Sequence, residues 1–487
     1  MVNSSSSSRP AGTSTLDAHL QLLSGSAVAP ESSDSATTPI FTEDVRVSRG
    51  DAATGGFTQY GLLGGHIGRL SRAPASTPAS SDPRIYYNVA APSSTFICGS
   101  QGSGKSHTLS CLLENCLIPS VANVLPRPLF GIVFHHDTFI SDTGGSPCEA
   151  AHLSSSPSIK VRVVCAPTNN GQIKRIYGHL PSVIIQELHL NQSDLDTKRM
   201  LGLMAVSSVQ GGGMPLYLHI VVRVLRDLRM RQQKTPGVQF DYGAFKRKLT
   251  ETNLTKDQMV PLQQRLGTLE SFMLDAQASA VVMSQRKQPA TNQLGPRQMA
   301  CLLFNICLGL FLERDSSVGC VTALDEAHKY MTESSEAMPL INSLLSTIRL
   351  QRRLGARIII STQEPQETPR SRFQTQQGDS MAMSFPVSDI SAHLFTEINK
   401  LQTGEALLFS PTALVGLGSV KKESSVELEF SDSVEEQPKP PASSANSTTE
   451  VALETPAGQA IPLANNVLKL RIRARITSDG GCSVMAA

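Results

Sequence analysis

Along this 487-residue chain the spacing of hydrophobic and polar positions changes character several times. From Met1 to about Pro83, Ser, Thr, Ala, Pro and Gly dominate and large apolar residues are sparse. Such a stretch buries too little surface to offset its ordering entropy, so residues 1–83 are expected to form a disordered arm. Beyond it, short β-prone runs alternate with helical patterns. Ile85–Ala90 (IYYNVA), Thr95–Cys98 (TFIC), Phe130–Phe134 (FGIVF) and Ile159–Cys165 (IKVRVVC) read as strands, and a helix opens near Gly104. This alternation predicts an α/β domain with a mainly parallel sheet. The middle of the chain is more helical: Leu216, Ile220, Val224 and Leu228 recur at helical spacing, as do Leu262, Leu266, Leu269 and Met273. After Met338, Leu340, Ile341, Leu344, Leu345 and Ile348 form one apolar stripe that Gly355 would stop. Residues 420–459 return to charge, Ser and Pro and are expected to be a disordered linker before a last strand at Leu468–Ile476.

Chemistry enters with GSQGSGKS at Gly99–Ser106, which fits the phosphate-binding pattern G-x-x-x-x-G-K-[ST]. Its setting matches its chemistry: TFIC supplies a strand before it, and Leu109, Leu112, Leu113 and Leu117 supply a helix after it. A loop so placed aims backbone N–H groups and the positive helix end at phosphate oxygens. Gly99, Ser100, Gln101, Gly102, Ser103 and Gly104 would wrap the phosphates, with His107 adjoining. Lys105 would neutralise the β- and γ-phosphates, and Ser106 would offer its hydroxyl to Mg²⁺. The expected ligand is ATP with Mg²⁺.

A second signal is GCVTALDEAHKY. The apolar strand Val321–Leu324 ends in Asp325, placed to hold the magnesium, and Glu326, placed to orient and polarise an attacking water. The pair predicts an ATP hydrolase. The letters DEAH also occur in helicases, and QRRLGAR at Gln351–Arg357 resembles their arginine-rich finger motif. Gln351, however, stands only 26 residues after Asp325. The helicase motif belongs to a second core domain, for which too little chain remains after about residue 411. A third apolar strand, Arg357–Ser361, ends in Thr362 and Gln363, and Gln363 could touch the γ-phosphate or the lytic water.

The order LDEAHKYM, a helix ending in RRLG, IIISTQEP, then LQTGEALLF at Leu401–Phe409 resembles the HerA and FtsK group of P-loop ATPases, RecA-like proteins of the ASCE class. It resembles most closely the uncharacterised HerA-like ATPases of filamentous fungi. The similarity covers Ile85–Leu117 and Ala300–Pro411, with the last strand. It implies a RecA-like core, a hexameric ring with sites between subunits, and ATP hydrolysis coupled to moving DNA or another polymer. On the same ground Arg352 falls on the group's finger position and is assigned a catalytic role in trans. The sequence departs from the group at Glu364, where an arginine is usual, and at Ala276–Pro296, where only AVVM stands in for a central strand. It departs also in the 220 residues between Lys105 and Asp325, which imply a helical insertion. The expected division is an arm (1–83), a P-loop half of the core (84–167), the insertion (168–298), an acidic-strand half (299–419), a linker (420–459) and a C-terminal strand and tail (460–487).

The bulk numbers change this picture little. With 43 basic and 41 acidic residues, the net field gives no reason to expect a polyanion, so any DNA site must be local. Two basic surfaces are candidates: Arg223, Arg226, Arg229, Arg231 and Lys234 on one helix, and Lys469, Arg471, Arg473 and Arg475 on one face of the last strand. The nine cysteines show neither a disulfide framework nor a zinc-cluster spacing. His135, His136 and Asp137 hint at metal, but no further ligand stands at a recognisable spacing. No run approaches the ~20 apolar residues of a membrane span, and Ala300–Leu312 reads as a core helix. The N-terminus lacks a secretory h-region, so a cytoplasmic or nuclear, non-secreted protein is expected. The alternative to a motor is a nucleotide-dependent interaction or scaffold protein with weak or no ATPase activity.

Overall fold

The structure is a computed structural model that describes residues 37–50, 56–70, 82–137, 144–204, 216–234, 240–252, 254–273, 296–314, 318–332, 334, 337–363, 396–417, 460–464 and 466–480. In chain order the strands are β1 (Ile40–Thr42), β2 (Tyr60–His66), β3 (Arg84–Asn88), β4 (Ser94–Cys98), β5 (Asn123–Val124), β6 (Phe130–Phe134) and β7 (Val161–Cys165). They continue as β8 (Val183–Glu187), β9 (Cys320–Leu324), β10 (Ala356–Thr362), β11 (Glu405–Leu408), β12 (Leu414–Leu417), β13 (Ala460–Pro462) and β14 (Leu468–Ile472).

A four-stranded parallel sheet in the order β4-β10-β9-β6 forms the centre. Its central strands β9 and β10 are apolar because both their faces are covered, the usual condition inside a parallel sheet, while the edge strands β4 and β6 keep Phe96 and Phe130 exposed. All seven residues of β10 are buried. Ile359, with Val321 and Ala323 of β9, packs toward the helix Lys105–Leu117 through Leu109, Leu112 and Leu113. Ile358 and Ile360 face the other way, onto the helices Pro296–Leu312 and Met338–Arg349 through Leu308, Leu340, Leu344 and Ile348. The stripe after Met338 is therefore the buried face of a helix, and Gly355 ends the following turn at φ 56°, ψ 34°, a conformation that favours glycine.

A larger, mostly antiparallel sheet, β11-β14-β2-β3-β1-β12-β13 with β5 beside β2, flanks this core and shares the cluster of Leu63, Ile85, Tyr87 and Leu470. Four expectations change here. The arm expected to run to residue 83 is folded in part: β1 and β2 lie inside it, and Phe41 stacks on Phe57 with ring centroids 3.5 Å apart. Residues 1–36 lie outside the described residues. IYYNVA supplies β3 of this second sheet rather than a strand of the P-loop sheet. IKVRVVC supplies β7, which among the described residues pairs only with β8, in a separate two-stranded parallel sheet. The last strand, expected over Leu468–Ile476, ends at Ile472, and as β14 it is internal, paired with β11 on one side and β2 on the other.

The described residues of the interval between the two halves of the core are mainly helical, with helices Thr197–Met204, Leu216–Lys234, Tyr242–Thr250 and Lys256–Glu270. They build a core of their own from Met200, Val221, Leu225, Phe245, Leu249, Leu262 and Leu266, joined to the rest by Leu302 and Ile306. Asp241 caps one helix, its Oδ1 accepting from Ala244 N at 2.8 Å, and Thr255 and Gln258 form a capping box on the next. The AVVM remnant, Glu364 and residues 420–459 lie outside the described residues.

Candidate active site

Sheet register gathers the candidate site. Thr362 is level with Cys98, and both Ile360 and Phe134 are level with Leu324. The residues that follow these strand ends are Gly99, Gln363, Asp325 and His135, so all four emerge at one edge of the sheet. Because β10 lies between β4 and β9, Gln363 is placed between the P-loop and the acidic pair.

In the loop, Gly102 and Gly104 have φ of 79° and 95°, values that cost a glycine little. Ser103 Oγ occupies the space that a Cβ on Gly99 would need. Ser100, Gln101 and Gly102 form the exposed apex. Lys105 opens the helix, is buried, and its Nζ donates to Ser100 O at 2.9 Å. Burial holds its ammonium below the ordinary pKa, while Glu326, Cys98 and Asp325 pull the other way. Ser106 follows on the first turn. A Cβ on Gly104 would come 3.7 Å from Gly404 N, so the LQTGEA element abuts the phosphate-binding turn. His107, grouped with the loop by position, turns its side chain elsewhere: Nε2 lies 2.8 Å from Arg473 O in the C-terminal segment.

The two carboxylates differ in surroundings. Asp325 is buried; its backbone N–H donates to Phe134 O at 2.9 Å, and its Oδ2 lies 3.0 Å from His135 Nδ1. Its Oδ1 is buried with no hydrogen-bond partner among the described residues. Glu326 adopts the left-handed conformation, φ 50°, ψ 45°, a backbone strain of about 1 kcal/mol or more that the surrounding structure must hold. Gln363 Nε2 donates to Glu326 Oε2 at 2.7 Å. His328 Nε2 and Lys329 Nζ lie 3.5 and 3.9 Å from the same oxygen. His328 Nδ1 also accepts from Gln363 N at 3.4 Å. From sequence His328 is an ordinary residue past a strand end; in the fold it flanks the candidate base. Only the strand-end position of Gln363 hints at this grouping.

Arg352 is not brought to the cluster. It is exposed on the turn before β10, and the seven residues of β10 at ~3.3 Å each put it roughly 20 Å from the strand-end edge. Within one chain it cannot reach the nucleotide site.

The basic face of the last strand is corrected. Arg473 Nη1 donates to Glu114 Oε2 at 2.7 Å with both side chains buried, Arg475 pairs with Glu149, and Lys469 and Arg471 pair with Glu405. Arg473 and Arg475 are thereby neutralised inside the fold, whereas Lys469 and Arg471 share one carboxylate and Arg471 keeps 57% of its side chain exposed. Arg223, Arg226, Arg229, Arg231 and Lys234, in contrast, are exposed. No helix among the described residues is long and apolar enough to cross a membrane.

No protein-family model matches the sequence, and no curated protein matches it. Among solved structures the chain is similar to VirB4 of Thermoanaerobacter pseudethanolicus, with TM-score 0.38 and 14% identity over 71% of this chain and 92% of that one. It is similar also to the bacterial conjugative coupling protein TrwBdeltaN70, with TM-score 0.34 and 13% identity over 65% and 75%. A third is the cytoplasmic domain of the Thermomonospora curvata type VII secretion ATPase EccC, with TM-score 0.21 and 13% identity over 65% and 22%. These likenesses are distant, and the site stands on its own geometry.

Proposed function

We propose that the chain binds ATP with Mg²⁺ and hydrolyses it, as a motor of HerA-like type that moves or remodels DNA or another polymer. The observation that carries this reading is the register-aligned edge that joins Lys105 and Ser106 to Asp325, Glu326 and Gln363. The buried, unpartnered Oδ1 of Asp325 fits a magnesium ligand, and with Ser106 it would hold the ion, which when bound neutralises phosphate charge. Backbone N–H groups of the loop would hold the phosphates, with Lys105 beside them. Gln363, His328 and Lys329 all approach Oε2 of Glu326. That leaves Oε1 to accept a proton from water, with the carboxylate already oriented. Assembly into a ring would be needed to bring Arg352 of one subunit to the site of another, and the exposed arginines of helix Leu216–Lys234 are the surface on which a polyanion would sit.

Lys105→Ala should abolish ATP binding and turnover, and Glu326→Gln should keep binding while lowering turnover by roughly 10²-fold or more, as loss of a general base does. Undiminished hydrolysis in either variant would overturn the ATPase reading. Binding without turnover in the unaltered chain would favour the nucleotide-dependent scaffold. Stimulation of the ATPase by double-stranded DNA, lost at high salt, supports the motor reading, and indifference to nucleic acid of any kind removes DNA as the polymer.

A further inference from the structure

A second cluster shares Asp325 with the first and adds two side chains, His135 and Cys148, that have no part in the hydrolysis just described. His135 follows β6, Asp325 follows β9, and Cys148 caps the short 3-10 helix Glu149–Ser155, so three separate segments meet. Nδ1 of His135 lies 3.0 Å from Oδ2 of Asp325, Sγ of Cys148 lies 3.7 Å from that same oxygen, and the three atoms are all within 4.8 Å of one another. Cys148 and Asp325 are buried, whereas the His135 side chain keeps 19% of its surface exposed. Cys148 is fixed from two directions: its N–H donates to the Tyr177 hydroxyl at 2.8 Å, and its carbonyl accepts from Ala151 N at 2.9 Å.

The geometry points to a binding site for one zinc-class ion held by His135 Nδ1, Cys148 Sγ and Asp325 Oδ2, with a water as fourth ligand on the His135 side. Sulfur, imidazole and carboxylate together are a zinc donor set, and three protein ligands plus water is the open form of such a site. A tetrahedral zinc with bonds of about 2.0–2.3 Å sets its ligand atoms roughly 3.3–3.7 Å apart. The observed 3.0 and 3.7 Å separations need shifts of only tenths of an ångström. A purely hydrogen-bonded cluster explains the arrangement less well. It would aim the thiol and the imidazole at one carboxylate oxygen, a convergence that a shared ion on Oδ2 accounts for directly. On coordination the thiol releases its proton to solvent and the imidazole carries its hydrogen on Nε2. Scattered through the sequence as a histidine, a cysteine 13 residues on and an aspartate 190 residues away, the set has no spacing by which a sequence search could find it.

Because Asp325 is also the proposed magnesium ligand, the two ions share one carboxylate through different oxygens. Zinc on Oδ2 withdraws charge from Oδ1, so zinc should weaken Mg-ATP use, and Mg-ATP should weaken zinc by the same factor. The ligand set stands without the ATPase reading; this coupling rests on it.

The test is titration of the metal-free full chain with Co²⁺. One equivalent should give the intense visible bands of a tetrahedral site and a sulfur-to-cobalt charge-transfer band, both erased by one equivalent of Zn²⁺. Cys148→Ala should lose the charge-transfer band, and His135→Ala should weaken cobalt binding by more than roughly tenfold. Cys165→Ala, which alters a thiol away from the site, should change neither, and circular dichroism on each variant verifies the fold. A charge-transfer band that persists in Cys148→Ala, or no tetrahedral cobalt in the unaltered chain, overturns the site. Zinc should inhibit the ATPase in the unaltered chain and not in Cys148→Ala. Cobalt binding in a chain that binds no ATP would uphold the ion site and sink the nucleotide reading, so the two failures are distinct.

Discussion

Replacing Arg473 separates two incompatible accounts of the C-terminal strand, one in which its basic residues face a polymer and one in which they close the fold. Arg473 donates to Glu114 Oε2, Leu62 O, Cys111 O and Asn115 Oδ1 at 2.7, 2.9, 3.1 and 3.1 Å. It thereby ties the C-terminal segment to β2 and to the P-loop helix. Glu114 is fully buried and also accepts from the Thr477 hydroxyl at 2.6 Å and the Thr477 N–H at 2.9 Å. Arg473→Ala leaves a buried carboxylate without its cation, a loss of about 3–5 kcal/mol. The retained Thr477 bonds place the expectation at the low end, about 3 kcal/mol. Arg471→Ala, in which a half-exposed side chain leaves a 3.4 Å pair with Glu405, should cost under about 1 kcal/mol. Native-state hydrogen exchange read on Lys105–Leu117 is the assay, since a chain of this size need not unfold in one step. Burial alone would raise the Glu114 pKa, but Thr477 and Arg473 outweigh it and hold the carboxyl below its ordinary 4.5. With the folded value depressed, this contribution is complete above pH 4.5 and is lost as pH falls through the folded pKa. The unaltered chain should therefore lose protection in that acid range, and Glu114→Gln should flatten the change. Normal protection in Arg473→Ala together with weakened polymer binding would refute the buried-hub account.

Three further outcomes follow from the same geometry. Gln363→Ala should leave ATP affinity within about twofold and lower steady-state turnover by roughly 10- to 100-fold, since Glu326 loses the amide that orients it; unchanged turnover would remove Gln363 from the site. Arg352→Ala should leave ATP binding intact and abolish turnover, and mixing it with Glu326→Gln should restore some activity through hybrid sites; no restoration over all mixing ratios would count against a role in trans. Charge reversal at Arg223, Arg226 and Arg229 should weaken DNA binding and lower the salt slope by about 0.9 for each phosphate that is no longer neutralised, whereas the same reversal at Arg471 should not; equal effects at both places would discard the helix as the polymer surface.

The P-loop and the acidic pair were legible because each is local: an apolar strand, then a loop or carboxylates whose chemistry is contained in a few consecutive residues. The second sheet was not. In β2, YGLLGGH, three glycines hide the strand alternation and make it read as low complexity. The structure gives the reason: a Cβ on Gly61 would collide with Asn115 of the P-loop helix, and one on Gly64 with the carbonyl of Arg471. The residues that make the strand illegible are the ones that let it lie close to its neighbours. β1 is only three residues long and shows no period at all.

Charge followed the same division. Period-two alternation puts Lys469, Arg471, Arg473 and Arg475 on one face of the last strand, but β14 ends at Ile472, so only Lys469 and Arg471 lie within it, and alternation says nothing about what lies opposite. What lies opposite is Glu405 at one end and, 359 residues away in sequence, Glu114 at the other. A run of arginines on a strand that is internal to its sheet is therefore better read as a latch, and the DNA hypothesis moves to the helix Leu216–Lys234. The consequence reaches the site itself. Arg473 O lies against His107, and Ile472 N donates to Gly404 O at 2.9 Å beside Gly104, so the latch holds both the first turn of the P-loop helix and the glycine turn that abuts the phosphate-binding loop. Loosening the C-terminal segment should thus disturb nucleotide binding without touching a phosphate-binding side chain, because the latch runs along that helix from Glu114 to the turn at His107 beside the loop.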